Sequence, residues 1–269
     1  MLKNFEMEEG TTPLLISMPH VGTTVPDDIA RRLTPEAMTL PDTDWHVDRL
    51  YEFADDIGAW IIRPRCSRYV VDLNRPADGS SLYPGLRETS ICPSISFNGA
   101  QLYAEGLAPD EKEVATRIAT YWNPYHAMLN ETLNALRVRF GYALLWDAHS
   151  IRSEVPMLFE GSLPDFNLGI GQGACPQVVA EKLLEVAQSA ANRTAVLNGR
   201  FKGGYITRHY GAPDRNVWAV QLELSQRTYM DENHPELGLT SEADATRHTI
   251  REMLATFLEL GRTALRPNR

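Results

Sequence analysis

The sequence offers little with which to cross-link itself. Its three cysteines, Cys66, Cys92 and Cys175, are odd in number and far apart, and none forms a CxxC pair. That favours reduced thiols in the cytosol over a disulfide framework. No run of 18 apolar residues occurs, so no membrane-spanning helix is expected. The first ten residues carry acids and lack an apolar core, so they do not read as a signal peptide. A cytoplasmic location is the expectation. Positive charge is also scarce. A net charge of −9 argues against nucleic acid or an anionic membrane as the main partner. It leaves room for a small anionic substrate, because a few arginines suffice for a local positive pocket. No GxSxG is present, no cysteine sits in a nucleophile motif, and the Gly203-Gly204 stretch lacks Walker spacing.

What is present fits one large α/β domain spanning all 269 residues. Homo-oligomerisation is left open. Apolar runs predict strands at 14–18, 59–62, 69–73, 142–147, 194–197 and 217–224. Helical spacing predicts helices over 46–57, 109–139, 177–191 and 241–262, the last launched by Ser241. Pro124 should kink or break the second of these. Residues 76–108 are rich in Pro, Gly and Ser and read as a long excursion. Alternating strands and helices predict a mixed, largely parallel sheet flanked by helices.

Two of the apolar runs end in histidine: His20 after Leu14-Leu15-Ile16-Ser17-Met18-Pro19, and His149 after Leu144-Leu145-Trp146-Asp147-Ala148. Each alone is more often a turn or core histidine. Together, at strand ends that line the crevice of an α/β protein, they suggest a shared metal, best zinc. A catalytic zinc takes three protein ligands and keeps an open position. The acidic stretch Asp42-Thr43-Asp44-Trp45-His46-Val47-Asp48 is the nearest source of a third ligand. Asp44 is the first choice, Asp42 and Asp48 are alternatives, and His46 is a further one. Helix capping explains any single acid here about equally well. Asp147, two residues before His149, can orient it from behind or cap the next segment.

Asn74 and Arg75 follow the apparent strand 69–73, where a guanidinium fork can hold a carboxylate. Arg68 is a weaker candidate of the same type. For both arginines a surface salt bridge is the ordinary alternative. Glu223 stands in the apolar run 220–224, where a buried acid is costly unless paired or at a site. Burial would raise its pKa toward the range useful for general acid–base work. A solvent-facing edge position is the competing reading. Around Gly203-Gly204, which permit close backbone approach to a ligand, Tyr205, Arg208 and His209 are candidates for substrate contact, against a plain helix start.

The order strand-end His, acid, Asp72-Leu73-Asn74-Arg75, Asp147-Ala148-His149-Ser150, then Glu223 resembles the zinc carboxypeptidase and aspartoacylase superfamily. Together with Ser17-Met18-Pro19-His20-Val21-Gly22 and the Gly203–Gly211 stretch, it resembles the N-formylglutamate amidohydrolases most closely. The matching segments run from residue 17 to 226. The resemblance implies a phosphorylase/hydrolase-like, zinc-peptidase-like fold and hydrolysis of N-formyl-L-glutamate to glutamate and formate in histidine degradation. It makes His20 and His149 zinc ligands, Arg75 a carboxylate binder and Glu223 the general acid–base. The broader superfamily has a ligand glutamate three residues after its first histidine. Thr23 stands there instead, so the third ligand must come from elsewhere. Hydrolysis of another N-acyl amino acid or a peptide is the alternative activity. A non-catalytic binding protein for an acidic amino acid is the alternative class.

Overall fold

The computed structural model describes residues 4–82, 85 and 87–265. In chain order, β1 (Phe5–Glu8) and β2 (Leu14–Ser17) precede two single helical turns, α1 (Asp27–Ala30) and α2 (Val47–Leu50). Then come β3 (Trp60–Pro64), α3 (Glu111–Arg117), α4 (Asn123–Phe140) and β4 (Ala143–Ile151). β5 (Phe166–Gly169), α5 (Gln177–Gln188), β6 (Ala195–Leu197), α6 (Tyr205–Tyr210), β7 (Val217–Ser225) and α7 (Ala243–Ala264) complete the order. The strands form one sheet in the order β1-β3-β2-β4-β7-β5-β6. Its centre, β3-β2-β4-β7, is parallel, and β1 and β5 join antiparallel to β3 and β7. This is the mixed, largely parallel sheet that the alternation of elements predicts.

The two faces of the sheet bury different helices. Leu14, Ile16, Leu144, Trp146, Val220 and Leu222 pack with residues of α2, α5 and α7, including Leu50, Leu183 and Phe257. On the other face, Leu15, Ala143, Leu145, Val217 and Ala219 meet Leu129, Leu133 and Leu136 of α4 and Ile206 of α6. Successive strand residues face opposite sides, so this second face continues into Ser17, Asp147, His149, Gln221 and Glu223. Ser17, Asp147 and Gln221 lie in register across three strands. At that level the face changes from aliphatic to polar, toward the C-terminal ends of the parallel strands.

Several expectations need correction. Residues 69–73 are buried but form no strand. Asn74 N–H donates to Asp72 Oδ1 at 2.9 Å and Tyr69 N–H to Ser67 Oγ at 3.2 Å. Such local side-chain bonds compete with a ladder. The helix expected over 46–57 is only α2 followed by a 3-10 segment, Glu52–Ile57. Asp55 and Asp56 near its C-terminal end oppose the helix dipole. α7 starts at Ala243 without a side-chain cap, so Ser241 does not launch it. β1 and β5 were not expected from the sequence. β1 shows an alternating signal, with Phe5 buried and Glu6 bonded to Arg63. β5 is four residues long inside a Gly- and Pro-rich stretch.

The long helical pattern does break near Pro124, as a π-helical turn, Ile118–Trp122, between α3 and α4. Proline has no N–H to give to the carbonyl four residues back. That carbonyl, Thr120 O, instead accepts from Asn4 Nδ2 at 2.9 Å.

His126 on α4 is buried, its Nε2–H donating to Leu73 O at 2.9 Å. Burial pushes its pKa down to about 3. The unfolded chain therefore takes up a proton near pH 6.5 that the folded protein refuses, so the folded state loses stability as pH falls below that value. Relative to wild type, His126→Gln should gain about 1.2 kcal/mol between pH 6 and pH 5. Urea unfolding of chelator-treated protein at both pH values measures this. A pH-independent difference would mean that His126 titrates normally.

Candidate functional site

His20 lies just beyond the end of β2, and the loop carrying Asp44 is fastened to it by Asp44 N–H donating to His20 O at 3.1 Å. His149 projects from β4. Their side chains converge: His149 Nδ1 is 3.2 Å from both His20 Nδ1 and Asp44 Oδ2, and His20 Nδ1 is 3.7 Å from Asp44 Oδ2. All three residues are buried.

The carboxylates behind the rings turn both Nδ1 atoms toward the same spot. His20 Nε2–H donates to Asp72 Oδ1 at 2.8 Å, and His149 Nε2 faces Asp147 Oδ2 at 3.2 Å. A neutral imidazole that gives its proton to a carboxylate through Nε2 has only a lone pair at Nδ1. His20 therefore offers a lone pair at Nδ1, which meets His149 Nδ1 and a carboxylate oxygen of Asp44 at one spot. Ligands of a tetrahedral ion with bonds of about 2.0–2.1 Å stand about 3.4 Å apart. The observed separations match, so this donor set fits a metal ion.

The electrostatics agree. Burial pushes the Asp44 carboxyl up, but its bonds to His149 and His20 outweigh that and hold it below the usual range. Burial alone would lower the pKa of His149, yet Asp147, Asp44 and Glu223 hold it well above its ordinary value. The surroundings thus favour a positive charge at this point.

The other sources considered for the third ligand are engaged elsewhere. The Asp42 carboxylate accepts Phe97 N–H at 3.0 Å. His46 Nε2–H donates to Pro235 O at 2.7 Å. Asp48 on α2 is half-buried and lines no part of the pocket, and Thr23 is exposed.

The pocket beside this group is lined by His20, His149, Gln221 and Glu223, and by four arginines: Arg68, Arg75, Arg87 and Arg200. Glu223 is the register neighbour of His149 across the parallel ladder. Its Oε2 accepts Gln221 Nε2–H at 3.1 Å. Burial pushes its pKa up to about 8, against the pull of a charged His149. It is no edge-strand acid: β7 lies between β4 and β5.

Arg68 is buried, donating to Asp72 Oδ2 at 2.7 Å and lying 3.9 Å from Asp44 Oδ1. Arg75 folds back on nearby main chain, with Nε–H to Thr89 O at 3.0 Å and Nη1–H to Asn74 O at 3.1 Å. Asn74 lines the pocket too, but its amide is committed to protein. Oδ1 accepts Ile206 N–H at 2.8 Å, and Nδ2 lies 3.0 Å from His149 Nε2. The tight approach that Gly204 permits is to this side chain: a Cβ there would fall 2.4 Å from Asn74 Nδ2.

Three expected contacts, Tyr205, Arg208 and His209, lie outside the pocket lining. Tyr205 sits in an aromatic cluster, 5.6 Å from Trp122 and 4.8 Å from His209 between ring centroids. Arg208 donates to Gly203 O at 2.7 Å and Leu82 O at 3.0 Å, tying α6 to the excursion. Sequence reasoning missed Asp72, Arg87 and Arg200. Asp72 carried a signal, an acid between Val71 and Leu73. The two arginines lie in irregular segments and carried none.

With this geometry in view, the relatives are informative. The family model described as N-formylglutamate amidohydrolase matches residues 12–230. The chain belongs to the N-formylglutamate amidohydrolase family. Curated proteins named N-formylglutamate deformylase are similar over nearly their whole length. That of Pseudomonas aeruginosa is 52% identical over 256 residues, covering 95% of this chain and 96% of that protein. That of Pseudomonas putida is 49% identical over 262 residues, covering 97% and 98%. The crystal structure of N-formylglutamate amidohydrolase from Ralstonia eutropha JMP134 shares the fold, with a TM-score of 0.79, 22% identity, and coverage of 97% of this chain and 98% of that one. His20, Asp44, His149 and Glu223 all fall within the segment matched to the amidohydrolase family.

The donor set predicts metal content. Asp44→Ala and His149→Ala should lose bound metal after dialysis, as measured by elemental analysis, whereas Asp48→Ala and His46→Ala should retain it. Asp72→Ala and Asp147→Ala should weaken metal affinity roughly 10- to 100-fold, because each orients a ligand ring.

Proposed function

We propose that this chain hydrolyses the formamide bond of N-formyl-L-glutamate to L-glutamate and formate, with zinc held by His20, Asp44 and His149. On this reading the enzyme works in the cytoplasm, in histidine degradation. The observation that carries it is the meeting, in one arginine-lined pocket, of a metal donor set and a buried glutamate of raised pKa. The named relatives supply the substrate. Two nitrogens and one carboxylate oxygen suit zinc.

When bound, the metal supplies Lewis acidity toward the formyl oxygen and the attacking water. The residues of the chain do the rest. Glu223 takes a proton from the water as the oxygen–carbon bond forms, and returns it to the departing amine nitrogen as the carbon–nitrogen bond breaks. Its buried setting keeps its pKa near the working pH. Arg68, close to Asp44 and held by Asp72, sets positive charge against the charge that develops on the formyl oxygen. Arg75 binds one substrate carboxylate through guanidinium donors, and Arg87 or Arg200 at the pocket wall meets the other. In this way an acidic protein takes a dianion: its cationic groups are gathered where the substrate goes.

Asn74 was expected to touch substrate. Its engaged amide supports a different role, fixing His149 and α6. Tyr205 and Arg208 support the wall rather than the ligand.

Purified protein with zinc should release formate from N-formyl-L-glutamate far faster than it cleaves N-acetyl-L-aspartate or a short peptide. Preference for either of those would overturn the substrate assignment. Glu223→Gln should lower kcat by about 10²- to 10⁴-fold with zinc still bound. Near-normal turnover would remove Glu223 from the proton-transfer role.

A further inference from the structure

The π-helical turn before α4 ends in Trp122, and this residue has no part in the chemistry above. Its indole Nε1–H donates to the backbone carbonyl of Arg75 at 2.9 Å. One turn on, His126 stacks on it, with centroids 3.7 Å apart and planes 24° apart, and donates to Leu73 O. Between these two carbonyls, Asn74 is bonded to α6 and lies against His149. The strap 72–75 is thus held at every residue: Asp72 by His20 and Arg68, Leu73 by His126, Asn74 by Ile206 and Arg75 by Trp122.

The strap is not in a strand, so no ladder fixes its backbone. Leu73 O and Arg75 O each find a partner on the wide turn or at the start of α4. π-turns inside helices are costly and recur at functional sites. Here the turn sits where Pro124 withholds its N–H, and Asn4 accommodates the carbonyl that this leaves over. A continuous α-helix through Pro124 would lack that arrangement. The arginine with the most to gain is Arg75, because it alone combines a pocket-lining side chain with a backbone carbonyl bonded by the turn.

We infer that Trp122 is a positioning residue for substrate: its indole N–H fixes the Arg75 main chain so that the guanidinium meets the substrate carboxylate. This rests on the proposed role of Arg75 as a carboxylate binder. A fixed fork loses less freedom on binding than a mobile one. The contribution should therefore appear in KM and leave kcat, which depends on the metal group and Glu223, nearly untouched.

The test is a double-mutant cycle on the zinc-loaded enzyme with N-formyl-L-glutamate, using Trp122→Phe, Arg75→Ala and both together. Phe keeps the stacking surface for His126 and removes the donor. Loss of one neutral hydrogen bond corresponds to roughly fivefold. Trp122→Phe should raise KM by about that factor with kcat within about twofold and zinc content unchanged, and the effect should vanish in the Arg75→Ala background. An equal KM effect in both backgrounds, or a fall in kcat alone, overturns the inference while leaving the role of Arg75 intact. If Arg75→Ala itself leaves KM unchanged, the reading of Arg75 fails and the inference with it. Should the phenylalanine variant fold poorly, replacement of Trp122 by benzothienylalanine, which exchanges N–H for sulfur in the same ring shape, must give the same KM increase. Unchanged KM in that protein also overturns the inference.

Discussion

The site depends on one change of polarity within a single face of the sheet. On the α4 side, β2, β4 and β7 present aliphatic residues up to Leu15, Leu145 and Ala219, and polar ones from Ser17, Asp147 and Gln221 onward. Those three polar residues share one register level. Below it the face is an ordinary core under α4. Above it no apolar helix can cover the sheet without burying unpaired polar groups, which costs several kcal/mol each in an apolar environment. Loops and the short α6 cover it instead, and they bring the arginines and the strap 72–75. A pocket at the strand C-termini follows from where the aliphatic residues stop.

The same cost explains why so many acids gather there. Asp44, Asp72 and Asp147 are almost fully buried, and each has a histidine partner; Asp72 has Arg68 as well. Buried ion pairs add little net stability compared with apolar packing. They do give direction. Each imidazole is turned so that its Nδ1 faces the other and the Asp44 carboxylate, a favourable arrangement for a cation. Stability is given up locally to hold a geometry, and the aliphatic half of the sheet makes that affordable.

Much of this was legible in the sequence, for physical reasons that also mark the limit. His20, His149 and Glu223 stand out because each interrupts or ends an apolar run, and burial of such a group demands a reason. The same argument applied to Asp72 between Val71 and Leu73 would have found the carboxylate that orients His20. The β-branched neighbours read as a strand and concealed it. Asp44 was visible as one acid among several, since nothing local distinguishes a candidate metal ligand from a helix cap. Its engagement with His20 O and Ser150 N–H is a long-range fact. Arg87 and Arg200 were invisible because irregular chain has no period to read. The sheet was legible at β2, β3, β4, β6 and β7, because alternation and apolar runs are written into each of those elements separately, and not at β1 and β5.

The three converging donors are also widely separated along the chain, and this sets an order of assembly. His20 and Asp44 emerge early in synthesis and lie only one loop apart. His149 arrives more than a hundred residues later, and Glu223 later still. The third donor joins the other two only when β4 has paired with β2. Contacts between residues so distant form late, after the intervening loop has been closed at an entropic cost. The donor set that fits a metal ion is thus a property of the assembled sheet and not of any one segment of the chain.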